Sequence, residues 1–206
     1  MIIKVCGMKH PENIRQVAAL GVDWIGFIFW PSSKRYVEQS GTDDTTMPRQ
    51  SRFVGVFVNA SAEEMLEKAT EYGLDYLQLH GDESPDLCYT LQKRGKALIK
   101  AFSIATEEDV ARTAEYEGRV DYFLFDTKYE GYGGSGKSFD WSVLSAYKGE
   151  TPFLLSGGLS SESIEALRNF SHPCLAGIDL NSGFEIEPGL KDVEKLKEFI
   201  SEIRNI

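Results

Sequence analysis

The sequence has little cysteine: Cys6, Cys88 and Cys174 form an odd, widely spaced set that fits neither a disulfide framework nor a zinc motif. Long apolar runs are missing as well. No segment approaches the roughly 18 uninterrupted apolar residues of a membrane span, and the run from Met1 to Gly7 is too short for a signal peptide. A cytoplasmic location is the expectation. Positive charge is scarce, with 22 Lys and Arg against 32 Asp and Glu, a formal net charge of −10 and no long basic run. That balance argues against nucleic acid and anionic membranes as partners, so an anionic ligand would need a locally built site. His80 has no His-x-x-His or carboxylate triad beside it, and no metal site is expected. The glycine-rich stretch from Lys128 to Lys137 lacks the complete phosphate-loop pattern, so ATP binding is not read from it.

What is present is ordinary for a globular protein: 42% hydrophobic and 26% charged residues in a chain of 206. One domain spanning residues 1–206 is expected. Short apolar runs begin near Ile2, Val22, Arg52, Asp75, Ala97, Val120, Pro152 and Cys174, and each is followed by a segment of helical pattern. The runs from Trp24 to Phe29, Phe53 to Val58 and Tyr122 to Phe125 are almost continuously apolar, as parallel strands covered on both faces require. Ile14/Val17/Ala18, Met65/Ala69/Tyr72, Val110/Ala114 and Val193/Leu196/Ile200/Ile203 recur at helical spacing, and Ser61 and Asp192 stand at N-cap positions.

Eight βα units predict an α/β fold, a (β/α)₈ barrel, with an open doubly wound sheet as the structural alternative. The absence of Gly-x-Gly-x-x-Gly after the first strand favours closure. Residues 38–50, with Gly41, Pro48 and almost no apolar stripe, predict a short or irregular second helix.

In such a barrel the loops after the strands build the site. Strand seven runs into Ser156-Gly157-Gly158 and strand eight into Asn181-Ser182-Gly183, two adjacent glycine turns where these barrels hold phosphate; a short helix near 184–187 would add its positive end. Cys6 follows strand one directly. Asp126 closes an apolar strand, where a carboxyl that protonates is a general acid. Arg35, in Trp30-Pro-Ser-Ser-Lys34-Arg35-Tyr36, can grip a carboxylate in a bidentate fork. His80, ending strand four, can act as a base or orient another group. The glycines of 128–137 suit a lid. Cys88 and Cys174 are assigned to packing.

Taken in order, Lys4-Val-Cys6-Gly7, Gly26 to Tyr36, Val54-Gly-Val-Phe-Val-Asn59, Gln78-Leu-His80-Gly81, Phe125-Asp126-Thr127, Tyr132 to Trp141 and Leu155-Ser-Gly-Gly-Leu159 closely resemble the phosphoribosylanthranilate isomerase family. The resemblance implies an Amadori rearrangement in tryptophan biosynthesis that uses no metal or organic cofactor and acts on a small molecule bearing a phosphate and a carboxylate. It implies catalytic roles for Asp126 as acid and Cys6 as base, a carboxylate contact for Arg35, substrate contact at His80, and a phosphate cradle at Gly157, Gly158, Ser182 and Gly183. A thiol base needs positive charge nearby to reach its thiolate form, and the sequence does not reveal the partner. The family often has Ser-Ser where this chain has Asn181-Ser182, which leaves the Asn181 side chain without an assigned role. Monomer and homodimer are both open. The alternatives are another phosphosugar isomerase and a non-catalytic barrel that binds a phosphate ligand.

Overall fold

The computed structural model describes residues 1–38, 50–127 and 141–205. Of the expected second-helix segment, 38–50, residues 39–49 lie outside the described residues, as does the whole glycine-rich loop after strand six, 128–137. Eight parallel strands close into a barrel in sequence order: β1 (Ile2–Val5), β2 (Trp24–Ile28), β3 (Arg52–Phe57), β4 (Tyr76–Leu79), β5 (Ala97–Ile104), β6 (Tyr122–Thr127), β7 (Phe153–Ser156) and β8 (Leu175–Leu180), with β8 pairing back onto β1. The predicted barrel is therefore the fold, and the open sheet is excluded.

Strand alternation sorts side chains into two cores. One residue set, including Trp24, Val54, Tyr76, Ile99, Leu124 and Leu154, fills the barrel interior. The other faces outward, where Ile3, Val5, Phe27, Phe123 and Phe153 meet the surrounding helices. Those helices include α1 (Pro11–Ala19), α2 (Ala62–Glu71), α3 (Pro85–Lys93), α4 (Glu107–Ala111), α5 (Ile164–Asn169) and α6 (Val193–Ile203). Ser61 caps α2 and Asp192 caps α6 by accepting the Glu64 and Lys195 N–H groups, as their positions predict.

A short sequence pattern organises the amino-terminal rim. Val22-Asp23-Trp24, Leu74-Asp75-Tyr76 and Val120-Asp121-Tyr122 each open an even-numbered strand. The three aspartates accept the Ile3, Phe53 and Leu98 N–H groups at 2.7–2.8 Å, fixing the start of the preceding strand. The three aromatics pack together inside, with ring centroids 4.6–6.0 Å apart, and plug the floor of the barrel.

Two local expectations need correction. Val110 is buried but Ala114 is exposed, and Thr113 is buried in its place. The chain tightens after α4 into a 3₁₀ turn, Arg112–Tyr116, whose three-residue repeat puts position i+3, not i+4, on the inner face. After β8 the helix is a single 3₁₀ turn, Ser182–Phe184, rather than a helix over 184–187. Glu185–Glu187 is instead a strand, β9, paired antiparallel with β10 (Leu190–Lys191).

Candidate active site

The side-chain period of two that fills the barrel also sets its mouth. On each strand, a step of two from an interior residue reaches the carboxyl end: Lys4 to Cys6, Gln78 to His80, Leu124 to Asp126, Leu154 to Ser156 and Asp179 to Asn181. Residues far apart in sequence thereby converge on one face of the molecule.

Cys6 is buried, 3% exposed, and its N–H donates to the Leu180 carbonyl at 2.8 Å across the β1–β8 seam. Gly26 on β2 makes room for it, since a Cβ there would stand 2.8 Å from the Cys6 Sγ. Beneath it, Lys4 Nζ donates to Asp179 Oδ1 at 2.9 Å, and the two residues are register partners on neighbouring strands. Burial pushes the Cys6 thiol up, while the Lys4 and Lys191 ammonium groups pull it down; the thiol stays above its ordinary value. Burial alone would lower the Lys4 ammonium, but Asp179 and Cys6 hold it above the usual lysine value. Lys4 is thus the positive charge beside Cys6 that the sequence left unidentified. A charged residue inside Ile2-Ile3-Lys4-Val5 was the available signal, because a lysine in a buried strand must face a partner.

Asp126 stands one strand pair from the glycine turns, in register with Ser156. It lines a cavity of about 140 Å³ together with Ser156, Gly157, Gly158, Leu159, Asp179, Asn181 and Ser182. Gly157 and Gly158 adopt φ of 93° and 66°, conformations that side chains resist, and a Cβ at Gly158 would meet nothing within 4 Å. Gly183 plays a different part. A Cβ there would strike the Leu159 carbonyl at 2.1 Å, so this glycine lets the β8 turn lie directly on the β7 turn and is not part of the cavity lining.

His80 Nε2 lies 3.6 Å from Asp126 Oδ2. The Gln78 side-chain amide pairs with His80 Nδ1 at 2.9 Å, which leaves the Nε2 edge of the ring turned toward Asp126. The turn that holds His80 is fixed from below. Lys100 Nζ, buried, donates to the Leu79 and Gly81 carbonyls and to Glu83, and Glu83 in turn accepts the Asn59 and Gly81 N–H groups. Lys100 and Glu83 belong to no motif, and Gln78, although part of the Gln78-Leu-His80-Gly81 segment, has no role assigned from sequence.

Arg35 reaches the mouth from the turn after β2, lying over Gly7, where a Cβ would meet its Cδ at 2.6 Å. Its Nε and Nη2 grip the Glu185 carboxylate in a fork at 2.5–3.1 Å. Lys191 donates to the same carboxylate and to Asn181 Oδ1, both at 2.7 Å, which gives the Asn181 side chain its partner. Burial works against the Glu185 carboxylate, but hydrogen bonds from Arg35, Lys191 and the Gly189 N–H hold it at about 2. Among the described residues no cluster of three or more His, Cys, Asp or Glu side chains could hold a metal ion, and no helix is long and apolar enough to cross a membrane. Cys88 is buried in α3 and Cys174 is half-buried directly before β8, both away from the mouth.

A closed eightfold barrel with thiol, carboxyl, imidazole and guanidinium groups gathered at the carboxyl ends of its strands has the form of a (β/α)₈-barrel enzyme. The chain belongs to the N-(5'-phosphoribosyl)anthranilate isomerase family, whose sequence profile matches residues 3–202. It is 68% identical to the N-(5'-phosphoribosyl)anthranilate isomerase of Parabacteroides distasonis, over 98% of this chain and 93% of that one. The Phocaeicola vulgatus enzyme of the same name is 53% identical, over 99% and 98% of the two chains. Among solved structures, phosphoribosyl anthranilate isomerase from Thermotoga maritima superposes with a TM-score of 0.86 at 34% identity, covering 100% of both chains. A phosphoribosyl anthranilate isomerase in complex with reduced 1-(o-carboxyphenylamino)-1-deoxyribulose 5-phosphate gives 0.84 at 31% identity, again over 100% of both.

Proposed function

We propose that this chain is a phosphoribosylanthranilate isomerase of tryptophan biosynthesis, acting in the cytoplasm without metal or organic cofactor, and that Asp126 and Cys6 carry its acid and base chemistry. The observation that carries the assignment is that Asp126 borders the same small polar cavity as Gly157, Gly158 and Ser182. A substrate whose phosphate sits in that cavity has its sugar beside Asp126.

The reaction opens the ribose ring. The Asp126 carboxyl gives its proton to the furanose oxygen while the anilino nitrogen pushes electrons into the breaking C–O bond, leaving a protonated imine. The imine acidifies the adjacent C2′ proton. Cys6, as thiolate, takes that proton to give an enolamine, which gains a proton at C1 and loses one from the C2′ hydroxyl to become the ketone. No net proton is consumed. Burial raises the Cys6 thiol, and Lys4 is the group able to stabilise its anion. His80, with its Nε2 edge facing Asp126, can orient the acid or contact the sugar. Arg35 receives the anthranilate carboxylate, and Gly157, Gly158 and Ser182 cradle the phosphate, with Gly183 supporting that turn through its packing.

The test is the loss of phosphoribosylanthranilate fluorescence with purified protein, together with growth rescue of a tryptophan auxotroph. Cys6→Ala and Asp126→Asn are each expected to lose at least about 10²-fold in turnover. Near-normal turnover in either variant would remove that residue's role, and ligand-dependent stabilisation without product would favour a non-catalytic barrel.

A further inference from the structure

The β9–β10 hairpin interrupts the passage from β8 to α6, and its one cross-strand pair nearest the mouth is Lys191 opposite Glu185, register partners on the two strands. Asn13 of α1 clamps it from behind: its side chain accepts the Lys191 N–H at 2.8 Å and donates to the Lys191 carbonyl at 3.0 Å. The hairpin therefore presents one carboxylate and one ammonium to Arg35 at fixed positions. The side chains of Lys191 and Glu185 are 0% and 6% exposed and that of Arg35 is 22% exposed, so water does little to screen the charges among them.

A buried pair of Arg35 and Glu185 alone would be neutral, and a poor receptor for another carboxylate. Lys191 changes the sum: two cations and one anion leave a net charge of +1. Glu185 takes the Nε/Nη2 edge of the guanidinium, which fixes its plane and, among the described residues, leaves the Nη1 edge as the donor edge for a ligand. We propose that the β9–β10 hairpin is the specificity device for the carboxylate of the substrate's aromatic amine, with Glu185 as a positioning residue for Arg35 and Lys191 as the source of the net positive charge. This rests on the reading above that Arg35 meets that carboxylate.

The probes are two reduced product analogues, the carboxyphenylamino-deoxyribulose phosphate and its phenylamino counterpart without the carboxylate, titrated calorimetrically against the full chain. Wild type is expected to prefer the carboxylate probe by about tenfold or more. Lys191→Met, which neutralises the cluster, should bring that preference down to within about threefold while binding the carboxylate-free probe within about twofold of wild type. Lys191→Arg should keep the preference. The double variant Lys191→Met/Glu185→Gln removes one charge of each sign, restores +1, and should prefer the carboxylate probe more strongly than Lys191→Met does. A structural role for Lys191 predicts the opposite, since the double variant loses more contacts. A double variant no better than the single one, or equal weakening of both probes, overturns the inference. Absence of any carboxylate preference in wild type overturns instead the placement of Arg35 on which it rests.

Discussion

The reactivity of Cys6 is decided by what lies within reach of one sulfur. It is sealed by the Gly26 backbone on one side and sits above Lys4 on another, and burial outweighs the ammonium in setting its protonation. Cys88 is also buried and is pushed up to about 11, again chiefly by burial. Cys6 and Cys88 should therefore alkylate slowly with iodoacetamide at neutral pH, with Cys6 reacting at less than about a tenth of the rate of an exposed thiol and speeding up as pH rises. Mass-spectrometric mapping of the labelled cysteine over time checks this. Rapid labelling of Cys6 at pH 7 would mean that Lys4 already holds it as thiolate. At this scale the sequence placed the carboxyl, thiol, imidazole and guanidinium groups at the barrel mouth, where the fold gathers them, because each ends a strand or sits on a loop after one. It gave no role to their partners Lys4, Gln78 and Asp179, because what each of these faces is settled only when the strands are placed side by side.

Among the elements, the β1–β8 seam is where the barrel closes, and it carries the Lys4–Asp179 pair at its centre. Removing one member of a buried pair strands the other charge. Lys4→Met should cost about 3–5 kcal/mol in urea denaturation, whereas Lys4→Met/Asp179→Leu should recover most of that loss. A single substitution costing under about 1 kcal/mol would show that water reaches the seam. The helical elements were less legible than the strands. Alternation of two survives any neighbour, but the 3₁₀ turn after α4 and the hairpin after β8 depend on how the layer outside the barrel is filled. The pattern Val-Asp-Trp, Leu-Asp-Tyr and Val-Asp-Tyr was in the sequence throughout, and its meaning appears only when each aspartate is seen to hold the strand before it.

For the molecule as a whole, Glu185 joins the loop after β2 to the hairpin in one charged network, and Asn13 of α1 holds that network through the Lys191 backbone. Its carboxyl is held at about 2 in the folded state, against an ordinary glutamate value of about 4.3 in the unfolded chain. The unfolded state therefore takes up a proton first as pH falls. The stabilisation from Glu185 is complete above about pH 4.3 and is lost progressively as pH drops toward about 2. Glu185→Gln should flatten this part of the acid limb: the difference in stability between wild type and variant, measured by urea denaturation at several pH values, should shrink steadily between about pH 5 and pH 2. A difference independent of pH would indicate that the residue contributes packing and not charge.

The eight βα units and the residues at the carboxyl ends of the strands were legible along the chain, because period-two burial and the punctuation of turns are local properties written residue by residue. Closure of the sheet and the sharing of charge among those ends came from the assembled fold. Lys4 meets Asp179 across a gap of 175 positions, and Arg35 meets Glu185 across 150. Such pairs follow from closure of the barrel and from a two-stranded hairpin, and no spacing along the chain encodes them.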